Sequence, residues 1–296
     1  MKAGFIGTGS IGTPMAIRLL DSVDELVVFD ARPEAMATVI DRGAVAATSA
    51  RDVADRTDVV FLSLPTKESF RTASTGPQGC IHGNRAKIIA NTSTMGMPCV
   101  TQVAEALEQR GMRMVDCPIS GGIIGATQGT LSVMVSGRPE AIDAIHPLLM
   151  RFGTITVAGD APGAAQVLKL TNNILSIVAL VATSEAFVMG AKAGLDPEVM
   201  ISAINVGTGR NSATVSKFPV SVLDRSFRFG STIEILMKDA DLAIEQGEAL
   251  GVPMWVCQAA RLVYKHAVFK GAARDDVTTI VQHIERAAGF ELPKTR

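Results

Sequence analysis

Apolar positions in the first half of the chain come in short runs, at Ala3–Ile6, Leu26–Phe29, Val59–Leu64, Ile88–Ala90, Met112–Val115 and Leu131–Val135. Runs of this length predict buried strands. Between them, at Pro33–Arg42, Pro98–Arg110 and Pro139–Phe152, apolar residues recur at helical spacing behind an early proline, which suits the first turn of a helix. The alternation predicts a mostly parallel sheet with helices on both faces. After about Gly159 the strand-like runs stop. Helical patterns follow at roughly Ala164–Ala193, Asp196–Asn205, Thr214–Phe218, Ile233–Leu250, Trp255–Lys270 and Asp275–Ala288. Gly194, Gly251-Val252-Pro253 and Gly271 separate them. An α/β domain over residues 1–161 and an all-α domain over 162–296 are therefore expected, joined through the long helix that begins near Ala164.

That long helix carries one irregularity. Lys169, Asn172, Asn173 and Ser176 stand at i, i+3, i+4 and i+7, so they share one face. Val167, Leu170, Ile174, Ile177, Val178 and Val181 cover much of the rest. A lysine and two amides are costly to bury without partners, so the stripe either faces water or lines a site.

Composition narrows the class. The chain has 296 residues, is 47% hydrophobic and carries a net charge of −1. It is long enough for two cores and offers no basic face for nucleic acid. One Trp and one Tyr leave few stacking surfaces for bases. The longest apolar run, near Ile174–Ala182, stops at Ser184-Glu185 and reads as too short for a membrane span. The four cysteines form no CxxC pair and the four histidines no HxxxH cluster, so a zinc site or disulfide framework is not expected. No signal peptide is visible, and a reducing, cytoplasmic setting is the expectation.

Candidate chemistry begins at Gly7-Thr8-Gly9-Ser10-Ile11-Gly12, directly after the first strand and at the opening of a helix. The first glycine permits a tight turn, the second lets the backbone approach a pyrophosphate, and the third lets helix and strand pack closely. Amides at the helix start then face the phosphate charge. Asp30 ends the second strand, 18 residues after Gly12, where a carboxylate accepts hydrogen bonds from a ribose and repels a 2′-phosphate. A Rossmann-type domain binding a nicotinamide dinucleotide is the reading, with NAD favoured. Arg32, two residues on, is able to reach a 2′-phosphate, so NADP stays open. Leu64-Pro65 ends the third strand at the carboxyl edge of the sheet, where ligands collect. Ser69 and Thr94 occupy loops that reach the same edge.

Further on, Asp116-Cys117-Pro118-Ile119-Ser120-Gly121-Gly122, followed by Gly129-Thr130-Leu131, is dense in glycine just after a strand. Ser120-Gly121-Gly122 is suited to offering a hydroxyl and unobstructed amides to a carboxylate. With these motifs in order, the chain resembles the β-hydroxyacid dehydrogenases along nearly its whole length. Gly4–Ala16 resembles that family's cofactor signature, Asp116–Gly122 its substrate signature, Gly163 with Lys169 and Asn172-Asn173 its catalytic signature, and Lys238-Asp239 a segment near the nicotinamide. The resemblance implies Lys169 as general acid/base and Ser120, Gly121 and Gly122 as carboxylate binders, with Asn173 on another substrate oxygen. Leu64, Pro65, Ser69, Thr94 and Lys238 are implied as cofactor-lining residues. There are three departures from the pattern: Gly96-Met97 stands where Ser-Pro is common, Ser69 where some members have Asn, and Ile119 where Val is usual.

The implied reaction transfers hydride between nicotinamide and a short β-hydroxy acid or its semialdehyde. A proton must move at the substrate oxygen, and a lysine suits this when burial or a nearby cation lowers its pKa. Lys238 is a candidate for that cation. The site is expected in an interdomain cleft, and the apolar second domain suggests a homodimer or homotetramer. Partners are then a small hydroxy acid or semialdehyde, with no nucleic acid and no membrane. Two other readings remain at this point. One is an imine reductase-like enzyme, the other a noncatalytic dinucleotide-binding sensor or scaffold. Both kinds of relative tend to lack the lysine at position 169.

Overall fold

A computed structural model describes residues 1–295. It divides into two compact units, Met1–Lys169 and Leu170 onward. In the first unit the elements run β1 (Lys2–Ile6), α1 (Gly12–Leu19), β2 (Glu25–Phe29), α2 (Ala37–Ile40), β3 (Val45–Ala46), α3 (Ala50–Arg56), β4 (Val59–Leu62), α4 (Lys67–Thr75), β5 (Ile88–Asn91), α5 (Met97–Glu108), β6 (Arg113–Asp116), β7 (Ile119–Ser120), α6 (Gly122–Gln128), β8 (Leu131–Ser136), α7 (Pro139–Leu149) and β9 (Gly153–Gly159). The sheet order is β3-β2-β1-β4-β5-β6-β8-β7, with β9 on β8. All pairs from β3 to β6 are parallel. The strand order reverses between β1 and β4, and ligands of open α/β sheets bind at such a switch point, beyond the carboxyl ends of the strands.

Strand periodicity divides the core. Phe5, Val28 and Phe61 point to the side packed by Met15, Leu19 and Phe152, whereas Ile6, Val27, Val60 and Leu62 point to the side packed by Val53, Phe70 and Val100. Phe61 stacks 6.2 Å from Phe5 and meets Phe152 edge-on at 5.4 Å. Helix starts have local causes. Ser49 caps α3 by accepting from the Asp52 amide at 3.0 Å, and Pro139 opens α7.

The antiparallel margin sets the position of the Ser-Gly-Gly turn. Asp116 pairs with Ser136, Ile119 with Val133 and Ser120 with Ser132. These pairs fall on one register, so β7 continues the line of β6 across Cys117-Pro118. The Pro118 carbonyl keeps the ladder by accepting from the Met134 amide at 3.0 Å.

The second unit holds most of α8 (Ala164–Lys192), then α9 (Pro197–Val206), a π-helix at Ala213–Val222, α10 (Ile233–Ala249), α11 (Trp255–Phe269) and α12 (Ile280–Ala288). Leu170, Ile174, Ile177, Val181 and Val188 form the buried stripe of α8, in one core with Phe187, Phe218, Tyr264 and Ile280. The apolar run expected to be too short for a membrane belongs to a continuous 29-residue helix whose most apolar window has a mean hydropathy of 1.9, so the helix is long and apolar enough to cross one. Its most apolar window is 56% buried, and Thr183 and Ser184 are buried within it, the character of a core helix. Thr214–Phe218, expected as a short helix, is instead part of the ten-residue π-helix, which contains Pro219. Proline has no N–H to give the helical ladder, and wider turns accommodate the loss.

Candidate active site

The glycine loop lies at the switch point. Gly7 has φ +95°, and a Cβ there would stand 2.1 Å from the Ser63 carbonyl oxygen. At Gly12 a Cβ would stand 1.8 Å from the Gly7 carbonyl oxygen. Gly9 differs, because a Cβ there would meet no protein atom within 4 Å. Chain packing therefore demands the first and third glycines but not the second, whose freedom faces the space a phosphate would fill. The first N–H groups of α1 have no acceptor inside the helix and suit an anion there. A cleft of about 540 Å³ opens beside them, lined by Thr8, Gly9, Ser10, Thr13, Arg32 and Ile123, among others. These residues fit a dinucleotide pyrophosphate.

Asp30 has a structural role that its spacing did not disclose. Its carboxylate accepts from the Thr8 amide at 2.9 Å and from the Arg32 amide at 2.9 Å, tying the glycine loop to the end of β2. Each carboxylate oxygen can accept more than once, so capacity remains for ribose hydroxyls. The Arg32 side chain is 67% exposed, with Nε 3.7 Å from Asp30. Ile11 precedes α1 as its N-cap residue.

On the next strands, the Leu64 amide donates to Ser93 Oγ at 2.7 Å, which fixes the chain entering Pro65. Ser69 closes a capping box at the start of α4: its amide donates to Thr66 Oγ1 at 3.1 Å, and its hydroxyl accepts from the Thr66 amide at 3.2 Å. Thr94 is half-buried between Ser93 and a buried network not anticipated from the sequence. There Gln166, fully buried on the first turn of α8, accepts from the Met95 and Gly96 amides at 2.7 and 2.9 Å. Its amide nitrogen donates to the Ser93 carbonyl at 3.0 Å and to Asp116 Oδ1 at 2.7 Å. Asn91 donates to the same Asp116 oxygen at 3.0 Å. Burial pushes the Asp116 carboxyl up to about 7, although the Gln166 and Asn91 amides pull it back down. Gly96, at φ +80°, is the N-cap of α5, a conformation the more usual serine would adopt less readily. The network anchors the start of α8 and so sets Lys169, which is 6% exposed, one turn further on.

Ser120 ends β7, half-buried, and Gly121 and Gly122 follow at φ +131° and +64°, both exposed. A Cβ at Gly122 would meet nothing within 4 Å, so its backbone is open to a ligand. The site residues of the first unit thus gather at the carboxyl edge of one sheet.

In the second unit, Asn173 is buried, and its Nδ2 donates to Asp239 Oδ2 at 2.6 Å. Its Oδ1 accepts from Asn172 at 3.1 Å. One N–H of the Asn173 amide is left to offer a ligand oxygen. Lys238, 39% exposed, pairs with the other Asp239 oxygen at 3.1 Å. Asp239 therefore orients both groups. Ser176, on the same face of α8, accepts from Lys217 Nζ at 2.8 Å. Lys217 was not anticipated, because Pro219 masks the helical period around it. Its side chain is 7% exposed, and burial brings its pKa down to about 8.

The strand order and glycine loop define a dinucleotide-binding protein of the α/β class. The family described as the NAD binding domain of 6-phosphogluconate dehydrogenase matches residues 2–159, and that described as the NAD-binding of NADP-dependent 3-hydroxyisobutyrate dehydrogenase matches residues 163–284. The chain is 32% identical to 2-(hydroxymethyl)glutarate dehydrogenase of Eubacterium barkeri, covering 99% of this chain and 97% of that one. It is 31% identical to 2-hydroxy-3-oxopropionate reductase of Escherichia coli, covering 99% and 100%. A solved 3-hydroxyisobutyrate dehydrogenase of Mycobacterium tuberculosis superposes with a TM-score of 0.86 at 28% identity, covering 95% of this chain and 98% of that one. The chain belongs to the β-hydroxyacid dehydrogenase family, whose members are NAD(P)-dependent oxidoreductases. An imine reductase of Streptomyces aurantiacus, 16% identical with a TM-score of 0.63, shares the fold alone.

Proposed function

We propose that this protein is an NAD-dependent dehydrogenase or reductase of a short β-hydroxy acid or the matching semialdehyde, with Lys169 as general acid/base. The observation that carries the reading is a lysine, 6% exposed, on the first turns of α8, three residues after Gln166, whose network anchors that end of the helix. A buried lysine on the helix face that also carries Asn173 is a candidate for proton transfer. The bound nicotinamide supplies or accepts the hydride. Lys169 moves the proton at the substrate oxygen, which in the reductive direction becomes the alcohol.

In this reading Ser120, Gly121 and Gly122 bind the substrate carboxylate, and Asn173, oriented by Asp239, holds a second substrate oxygen. Gly7 to Gly12 hold the pyrophosphate. Asp30 favours the ribose of NAD over a 2′-phosphate, with Arg32 at the mouth of the cleft. Leu64, Pro65, Ser69, Thr94 and Lys238 complete the cofactor's surroundings. The cofactor domain spans residues 1–161 and the substrate and assembly domain the remainder. A homodimer or homotetramer would cover the apolar residues exposed on the second unit, including Leu175, Met189, Trp255 and Phe269. Relatives named for a hydroxymethyl diacid and for a hydroxy-oxo acid favour substrates of this class.

The test is a screen of short hydroxy acids with NAD and NADP, followed by Lys169→Ala. That variant should lose about 10²- to 10⁴-fold in kcat and keep NADH affinity within about threefold. Substantial turnover by Lys169→Ala would remove the lysine from the reaction, and a clear preference for NADP would overturn the role given to Asp30.

A further inference from the structure

Lys217 is a buried cation whose described partners are all neutral. Its Nζ donates to Ser176 Oγ at 2.8 Å and to Ser212 Oγ at 3.4 Å, and the face of Phe229 lies 5.5 Å away. Among the described residues no carboxylate pairs with it. The contrast inside the same unit is sharp, since Lys238 pairs with Asp239, Arg261 with Asp241 and Arg225 with Glu285. A desolvated ammonium with only hydroxyl partners is poorly compensated. Ser212 is exposed and Ser176 half-buried, so the ammonium sits just beneath hydroxyls that solutes can reach.

The position is also informative. Ser176 follows Asn173 by three residues on α8, a rise of ~4.5 Å along one face. That distance is comparable to the span from the reacting carbon of a small hydroxy acid to a second carboxylate carbon four bonds beyond it. Ser212 is the N-cap residue of the π-helix and Lys217 lies within it; π-helical segments are frequent at functional sites.

We propose that Lys217, with the hydroxyls of Ser176 and Ser212, forms an anion subsite that receives a second acidic group on the substrate, distal to the reacting carbon. The substrate class is then a β-hydroxy acid carrying an additional carboxylate, rather than a simple monoacid. This rests on the reading that Asn173 faces the substrate.

The experiment compares kcat/KM for 2-(hydroxymethyl)pentanedioate and for 3-hydroxy-2-methylpropanoate. Four proteins are used: the unmodified chain, Lys217→Met, Lys217→Arg and Ser212→Asp. The unmodified enzyme should favour the diacid. Lys217→Met should lower that preference at least about tenfold, as loss of one partner in a buried charge pair does. Ser212→Asp, at an exposed position, should lower it by supplying an internal counter-charge. Lys217→Arg should largely retain it. A diacid preference absent from the unmodified enzyme, or unmoved in both Lys217→Met and Ser212→Asp, overturns the subsite. If neither acid is turned over, the proposed reaction fails and calorimetry with glutarate decides the subsite alone. Binding weakened at least about tenfold by Lys217→Met supports it, whereas equal or absent binding overturns it.

Discussion

The glycine loop after β1 presents backbone to its cleft, whereas the polar cluster of the second unit presents side chains held by other side chains. Gly7 and Gly12 are fixed by carbonyl oxygens that would stand 2.1 and 1.8 Å from an added Cβ. Asn173 is fixed by Asp239, 66 residues away, and Ser176 by Lys217, 41 residues away. A site made of backbone announces itself in sequence, because few residues other than glycine allow it. A site made of paired side chains does not, because each partner taken alone is an ordinary polar residue. The difference also separates tolerance from specificity. Backbone presentation suits a cofactor common to many enzymes, and side-chain presentation can be changed one substitution at a time.

The sharpest break of this comparison is Gly12→Ala. One methyl group should force the loop apart and weaken NADH binding about 100-fold or more, read by fluorescence titration, because backbone cannot yield as a flexible side chain does. Tight NADH binding by that variant would show the loop to be softer than its geometry. Next in size is Gln166→Leu, which strips partners from the Met95 and Gly96 amides, the Ser93 carbonyl and Asp116. Each unsatisfied buried group costs about 1–3 kcal/mol, so a large fall in the unfolding midpoint is expected. A change of only a degree or two would mean that water replaces the glutamine.

The most gradual effect is a pH dependence. Burial raises the Asp116 carboxyl to about 7 in the fold, against an ordinary value of 3.8. The folded protein therefore holds a proton that the unfolded chain has released between these values. The stability linked to that proton is complete below about pH 4 and is lost as pH rises through about 7, with a slope of at most about 1.4 kcal/mol per pH unit. Asp116→Asn should remove this slope while keeping an acceptor for Gln166. The difference in melting temperature between the two proteins should then change across pH 4 to 7; a constant difference would place the titration elsewhere.

Much of the architecture was legible. Six strand runs, the helical second half and the turn to dinucleotide chemistry all followed from apolar periodicity and glycine placement. Three strands escaped. β3 is two exposed residues and β7 is two half-buried ones. β9 mixes exposed positions with glycine at both ends, so it carries no continuous apolar run. Helix α4 was hidden by its polar surface and betrayed only by Thr66 and Ser69, three residues apart as a capping box requires. Gln166 could have been suspected, since it precedes Lys169 by three residues on an apolar helix. Asp239 stood in a noticed motif, but its bond to Asn173 depends on tertiary packing that spacing does not encode.

The single register through Asp116, Ile119 and Ser120 makes this stretch a counted segment. A side chain there can be exchanged, as isoleucine for valine at position 119, without moving its neighbours. Adding or removing one residue between Asp116 and Ser120 would turn the serine to the opposite face of the sheet. Evolution along this edge is therefore free in letters and constrained in length, and deletion scanning should find a sharper boundary there than substitution scanning does.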